Sequence, residues 1–312
     1  LAGQIGRVQQ EQAAALQVLQ AQVAEQVGGV HREHTLALQA MRERSSRAER
    51  RVRRLLYSLT DGETVEKPSP DQRKTLPRNP EPDFDYFGFE DRYRGSEEDI
   101  KERQRGYVEY FTREGLDQVL DIGCGRGEFL ELLREAGIKA QGVDLNLDMV
   151  LYCQEKGLDV VREDACVYLN SLPDESLGGI FAAQVIEHLQ PNQIIDLVKL
   201  CQRKLRAGGP LIFETPNPTC LMVFARSFYM DFSHIRPIHP EPMKFLLESA
   251  GFQDIRVLFS SPIEASMRVP HLPGAGADAK MAEEFNQGIE RLNELLYGFQ
   301  DYAVIGRKSS QL

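Results

Sequence analysis

No stretch of the sequence holds the roughly 18–20 consecutive apolar residues that span a bilayer, and no signal-peptide pattern opens it. A cytoplasmic protein is expected. The five cysteines, Cys124, Cys153, Cys166, Cys201 and Cys220, stand without CxxC pairing. That argues against a disulfide framework and a zinc site, and it fits a reducing compartment. Lysine is missing from residues 1–60, where nine arginines meet five glutamates for a net of +4, so the remainder must carry −14 to reach the total of −10. An acidic body excludes general nucleic-acid binding there. With 312 residues, 42% hydrophobic and 27% charged, the chain is long enough to bury one or two ordinary cores.

Three regions follow one another. Over residues 1–60 apolar positions such as Leu1, Ile5, Val8, Leu19, Val23, Leu38, Val52, Leu55 and Leu59 recur at spacings of three and four, the pattern of a coiled-coil helix. Polar Gln12, His34 and Ser45 weaken that seam, and Gly28-Gly29 marks a bend. So polar a helix needs another copy of itself or a partner protein to cover its stripe. Seven arginines between Arg42 and Arg54 read first as a solvated face and second as a contact with an acidic partner or with an anionic membrane surface, at the periphery of the inner membrane. Residues 61–84, rich in proline and charge, form a linker.

The third region, 85–312, alternates. Strand patterns "QVLDI", "AQGVDL", "DVV", "GGIFAA", "PLIFETP", "QDIRVLF" and "DYAVIGR" are separated by helical patterns. This predicts a mostly parallel α/β sheet covered on both faces. Between the last two strands, residues 261–298 make a long excursion that ends in a helix and is expected to form a lid or cap. The final strand is expected to run antiparallel at the sheet edge.

The first strand runs into "DIGCGRGE", residues 121–128, where the first strand-to-helix turn of such a sheet cradles a ligand. A dinucleotide fingerprint requires glycine at position 128, but Glu128 stands there. Asp121, two residues before the first glycine, would also repel a pyrophosphate. A cationic ligand without phosphate suits the loop better, and S-adenosylmethionine is one. Asp121-x-Gly123-x-Gly125-x-Gly127, followed 23 residues after Asp121 by Asp144, resembles the first motifs of class I methyltransferases. The resemblance implies a Rossmann-like fold with a seven-stranded sheet and S-adenosylmethionine as cofactor. It implies that Asp144 accepts the ribose hydroxyls, that Asp164 contacts the adenine amino group, and that Gln184 in "FAAQVIEHL" faces the cofactor. Cys124, Leu145 and Ala165 join that set as loop and strand-end neighbours. Arg94 or Tyr107 would fold over the cofactor from the leading segment, Arg94 towards its carboxylate. Individually, Asp121, Asp144 and Asp164 could equally be cap or turn residues; their order and spacing favour the cofactor reading.

For the acceptor, Glu187 and His188 open the pocket after the fourth strand. "SFYMDFSHIRPIHP" then gathers Tyr229, Asp231, His234, Arg236 and His239 in a polar, aromatic loop. An alcohol becomes a competent nucleophile when a base takes its proton, so His188, oriented by Glu187, or His234, near Asp231, is the candidate base, with His188 preferred. Glu187, His188, Asp231 and His234 would form a metal site only if this loop folded back, and their spacing matches no standard ligand motif, so no metal is expected. Residues 85–307 further resemble methyltransferases encoded among bacterial glycosyltransferases for O-antigen and other surface polysaccharides, through "YFGFEDRYRGSEEDIKERQRGYVEYF", "PNP", "FYMDFSHIRPIHP" and "LNELLYGFQDYAVIGRK". This resemblance implies O-methylation of a glycan or sugar precursor. Two other readings stay open: a quinone-like small metabolite as acceptor, and a catalytically silent scaffold organised by the coiled coil.

Overall fold

The computed structural model describes residues 41, 45, 48–57, 85–113, 115–274 and 279–309. The expected linker over 61–84 lies outside the described residues, and so does most of the expected coiled coil, of which 48–57 are helical. Residues 1–88 and 89–312 form separate compact units. Within the first, Arg50 is buried: its Nη2 donates to Asp85 Oδ2 at 2.7 Å, and its guanidinium lies 4.9 Å from the Phe87 ring centre. One arginine of the basic stretch therefore serves an internal ion pair and not a solvated face.

The larger unit is the expected α/β body. Two leading helices, α1 (Tyr86–Tyr93, which begins just before this unit) and α2 (Glu97–Gln104), are continued by a 3-10 turn, Arg105–Phe111. Then come β1 (Val119–Ile122), α3 (Glu128–Glu135), β2 (Ala140–Asp144), α4 (Leu147–Glu155), β3 (Val160–Arg162), α5 (Ala165–Ser171) and β4 (Gly179–Ala183). After a 3-10 turn at Ile186–His188 follow α6 (Pro191–Lys204), β5 (Pro210–Pro216), α7 (Leu221–Arg226), α8 (Pro240–Ser249), β6 (Phe252–Pro262), α9 (Ala279–Leu296) and β7 (Phe299–Lys308).

The seven strands lie in the order β3-β2-β1-β4-β5-β7-β6. The first five are mutually parallel, while β7 pairs antiparallel with both β5 and β6. The expectation that the last strand sits at the edge is therefore corrected: β6 is the edge, and β7 is inserted inside it. Their side chains show why. β7 is continuously buried from Tyr302 to Ile305, whereas β6 alternates and exposes one face, as an edge strand does.

Side chains of neighbouring residues point to opposite faces, and each face has its own cover. Leu120, Ile122, Ile180, Ala182, Leu211, Phe213 and Val304 pack under α5, α6 and α8 through Leu169, Leu197, Val198, Met243 and Leu247. On the other face Val119, Phe181, Ala183, Ile212, Ala303 and Ile305 meet Phe129 and Leu133 of α3, with Tyr107 and Phe111 beside them. The chain goes from β1 to β2 on one side and returns to β4 on the other, so a crevice opens beyond the carboxyl ends of β1 and β4, where such sheets bind ligands.

Candidate active site

The glycine loop fills that crevice. Gly123, Gly125 and Gly127 have φ of +65°, +52° and +84°, a region that L side chains adopt only at a cost. Space enforces glycine as well, since a Cβ on Gly123 would lie 2.5 Å from Val185 Cγ2, and one on Gly127 2.5 Å from Leu158 Cδ1. Asp144 ties the end of β2 to the loop: its Oδ2 accepts from the Gly125 amide at 2.9 Å and its Oδ1 from the Asn146 amide at 2.8 Å. Leu145 beside it is exposed, Cys124 is buried, and the Cys153 thiol donates to the Gly125 carbonyl at 3.3 Å.

The loop is ringed by carboxyl groups. Burial, reinforced by Glu128 and Asp144, pushes Asp121 well above the usual carboxylate range. Burial, with Glu90 adding to it, moves Asp144 up to about 6, and Arg94 counteracts it. Arg94 stands over Gly125, its Nη1 3.3 Å from where a Cβ would be, and donates to Glu90 Oε1 at 3.1 Å. The other Glu90 oxygen is buried without a partner. Arg94 is held there by a neighbour the sequence reading passed over. Arg126, 1% exposed, donates through Nε to Glu128 at 2.7 Å and through Nη2 to the Gly95 carbonyl at 3.0 Å, locking the leading segment onto the loop. A charged residue between two loop glycines was the available signal.

Other expected cofactor residues take varied positions. Asp164 caps α5, its Oδ1 accepting from the amides of Cys166 and Val167 at 2.9 and 3.0 Å, while Ala165 opens the helix. Gln184, at φ +58°, donates to Asp301 Oδ1 at 3.2 Å. Tyr107 does not fold over the loop as Arg94 does. Its ring packs 5.5 Å from that of Phe181 in the core, and its hydroxyl donates to Glu214 at 2.6 Å.

At the acceptor end the loop after α7 does fold back. The amides of Ile235 and Arg236 both donate to the Glu187 carbonyl, at 2.9 and 3.4 Å. This brings His234 beside Glu187 and His188. Glu187 is fully buried; its Oε2 accepts from the Thr215 hydroxyl at 2.9 Å, and its Oε1 has no partner. Burial raises its pKa to about 8. The His234 ring lies 4.7 Å from that of His188, and its Nε2 is 4.0 Å from Glu187 Oε1 and 3.9 Å from Asp231 Oδ2. Burial, and next the neighbouring His234, lower the His188 pKa to about 4. A group that weakly basic accepts a proton poorly near neutrality, which weighs against His188 as the base although its place just past β4, the ground for preferring it, is kept. Burial would raise the Asp231 carboxyl, but bonds from the Ser233 hydroxyl and amide hold it below its ordinary value.

The remaining acceptor candidates lie further out. Tyr229 is exposed and stacks edge-on against Phe228, and Arg236 is exposed. His239 caps α8, its Nδ1 accepting from the Glu241 amide at 3.2 Å, and its side chain is exposed. The excursion before β7 packs through Ile263 and Tyr297 against Cys220, Val223 and Phe228, and so supports the elements that carry the folded-back loop.

A loop with glycine at every second position, walled by carboxyl groups with one orphaned buried oxygen and with Arg94 above it, fits a cationic ligand that also bears a carboxylate. It does not fit a pyrophosphate. The comparisons agree. The family model described as methionine biosynthesis protein MetW matches residues 104–218. A solved S-adenosylmethionine-dependent methyltransferase of Archaeoglobus fulgidus is 43% identical, with a TM-score of 0.69 over 72% of this chain and 100% of that one. The ubiquinone biosynthesis O-methyltransferase of Idiomarina loihiensis is 28% identical over 171 residues, 49% of this chain and 68% of its own length. A protein of Mycolicibacterium smegmatis named "Probable S-adenosylmethionine-dependent methyltransferase" is 30% identical over 135 residues, 43% of this chain and 51% of its own. The chain thus spans about half to two thirds of the length of these curated relatives.

Proposed function

The chain belongs to the S-adenosylmethionine-dependent methyltransferases, and we propose that it methylates a hydroxyl oxygen of a sugar in a surface polysaccharide or its precursor. S-adenosylmethionine supplies an electrophilic methyl group on a sulfonium. The observation that carries the reading is the meeting of Glu187, His188 and His234 beyond β4, next to the glycine loop.

Gly123, Gly125 and Gly127 would give the donor's methionine end its space, and Arg94 would exchange Glu90 for the donor's carboxylate. Asp144 would take the ribose hydroxyls with the lone pairs its two backbone bonds leave, and Asp164, which caps α5 with Oδ1, would offer its other oxygen to the adenine amino group. The acceptor oxygen forms its bond to the methyl carbon as the carbon–sulfur bond breaks, the electron pair staying on sulfur. Its proton must leave in the same event, and Glu187, His188 and His234 are the groups placed to assist. The name of the Idiomarina relative supports oxygen as the receiving atom. Exposed Tyr229 and Phe232 beside polar Asp231 and Ser233 suit the alternating apolar and hydroxyl surface of a pyranose. An intact loop with Asp144 in place speaks against the silent scaffold. Residues 1–60 would pair copies of the chain or dock the enzyme on assembly machinery, and deleting them should leave cofactor binding intact and change the number of chains per particle in solution.

The test incubates the purified chain with S-adenosylmethionine and a panel of nucleotide sugars and short glycans, with a catechol as the competing class, and reads methylated product by mass spectrometry. A methylated sugar supports the reading. Turnover confined to the catechol would transfer it to a quinone-like acceptor, and no product with any hydroxyl would defeat it.

A further inference from the structure

Glu187, His188 and His234 come from two separated stretches, and one ligand atom of each lies within 4.8 Å of the other two. Their hydrogen bonds decide what they offer. His234 Nδ1 is 2.7 Å from the Phe228 carbonyl, which can only accept, so Nδ1 carries the hydrogen and Nε2 a lone pair. The Ser233 hydroxyl gives its hydrogen to Asp231 Oδ1 at 2.5 Å, so at His188 Nδ1, 2.9 Å away, it can only accept. His188 therefore also presents an Nε2 lone pair. Glu187 adds Oε1, buried and without a donor. Glu187, His188 and His234 thus each bring one ligand atom to one spot, and an orphaned buried carboxylate oxygen is costly.

Resting on the methyltransferase reading, we propose that these three side chains bind a divalent transition-metal cation that takes the acceptor hydroxyl at an open coordination position. Two imidazole nitrogens and one carboxylate suit Zn2+, Mn2+ or Fe2+ better than Mg2+ or Ca2+, which prefer all-oxygen sets. The Nδ1 bonds to a backbone carbonyl and to a hydroxyl backed by Asp231 are the outer contacts that orient metal-binding histidines. Ligand atoms at about 2.1 Å from a tetrahedral or octahedral metal stand about 3.0–3.4 Å apart, so loading draws Glu187 Oε1 and His234 Nε2 together from 4.0 Å. The cation would lower the pKa of the bound hydroxyl, whose proton passes to water as the carbon–oxygen bond forms. Asp231 Oδ2, 3.9 Å from His234 Nε2, stands at the rim of the site.

The test strips tag-free full-length protein with a chelator, then titrates it with Co2+ and reads ligand-field absorption in the visible. Bound Zn2+ is counted separately by plasma mass spectrometry. One saturable cation per chain is expected. It should be lost in Glu187→Gln, which keeps the Thr215 bond, and in His234→Ala; Ser233→Ala should weaken it by about 10- to 100-fold. Calorimetric binding of S-adenosylhomocysteine should persist in all three variants, because the glycine loop is untouched, and this separates failure of the cation site from failure of the cofactor reading. Co2+ held no better by the wild type than by Glu187→Gln and His234→Ala would overturn the site and leave His234 as a metal-free general base.

Discussion

Replacing Gly123 by alanine would set a methyl group 2.5 Å from Val185 Cγ2 on a backbone held at φ +65°. An L residue in the left-handed region costs about 1–2 kcal/mol. Carbon atoms in contact normally stand about 3.5–4.0 Å apart, so Val185 or the loop must give way by about 1 Å. Overpacking of that kind costs about 1–3 kcal/mol, which brings the expected loss to about 2–5 kcal/mol. Gly137 supplies the reference, with φ +72° and nothing within 4 Å of an added Cβ; Gly137→Ala should cost only the conformational part, about 1–2 kcal/mol. Urea unfolding gives both values from the shift in midpoint at constant slope. Val185 also precedes the turn that carries Glu187 and His188, so Gly123→Ala should slow turnover even at saturating donor. Equal midpoints for the two variants would refute the argument that space, beyond dihedral angle, demands glycine at position 123.

Asp144→Ala should abolish calorimetric binding of S-adenosylhomocysteine while a cooperative melt persists; retained affinity would reassign Asp144 to holding the loop through Gly125. Burial, with Asp301 next, raises Glu214 above the ordinary carboxylate range, as burial does Glu187, so the folded chain holds both protons to higher pH than the unfolded chain does. Stability is therefore lost as pH rises through the folded value, and the cofactor-free melting temperature should increase from about pH 8 to about pH 6.5. Below that range buried His188, with its lowered pKa, opposes the trend. Glu214→Gln should flatten the slope, and an unchanged slope would show that Glu214 does not drive it. Buried Asn293 of α9 exchanges bonds of 2.8 and 2.9 Å with the backbone of Val269. Asn293→Ala should cost about 1–3 kcal/mol and speed amide exchange in residues 263–274, and unchanged exchange there would deny it the pinning role.

The glycine loop and the strand end beside it were legible because their chemistry is local. Three glycines, Asp144 closing β2, Asp164 two residues past β3 and apolar runs between them are fixed by backbone conformation and strand-end position, and β5 falls on the residues its pattern predicts. The acceptor half depends on non-local closure. Nothing periodic in "DFSHIRP" foretells that the amides of Ile235 and Arg236 bind the Glu187 carbonyl, and that fold-back meets one of the two grounds against a metal, the other being the spacing of the residues. The place of β7 was missed although its residues announce it: "YAVI" is buried without interruption, while "QDIRVLFSS" in β6 keeps an exposed face. Asp164 shows the opposite ambiguity, since a residue that caps a helix with one oxygen keeps the other for a ligand.

The insertion of β7 between β5 and β6 sets an order of assembly. A ribosome makes β6 before β7, so β6 lacks its native partner until β7 arrives and pairs with β5 on one edge and with β6 on the other. The Tyr302 hydroxyl of β7 then donates to the Ile238 carbonyl at 2.9 Å, fastening the segment just past the folded-back loop. The five parallel strands and the donor cradle can form while the chain is still being made, but the acceptor side closes only once β7 is in place.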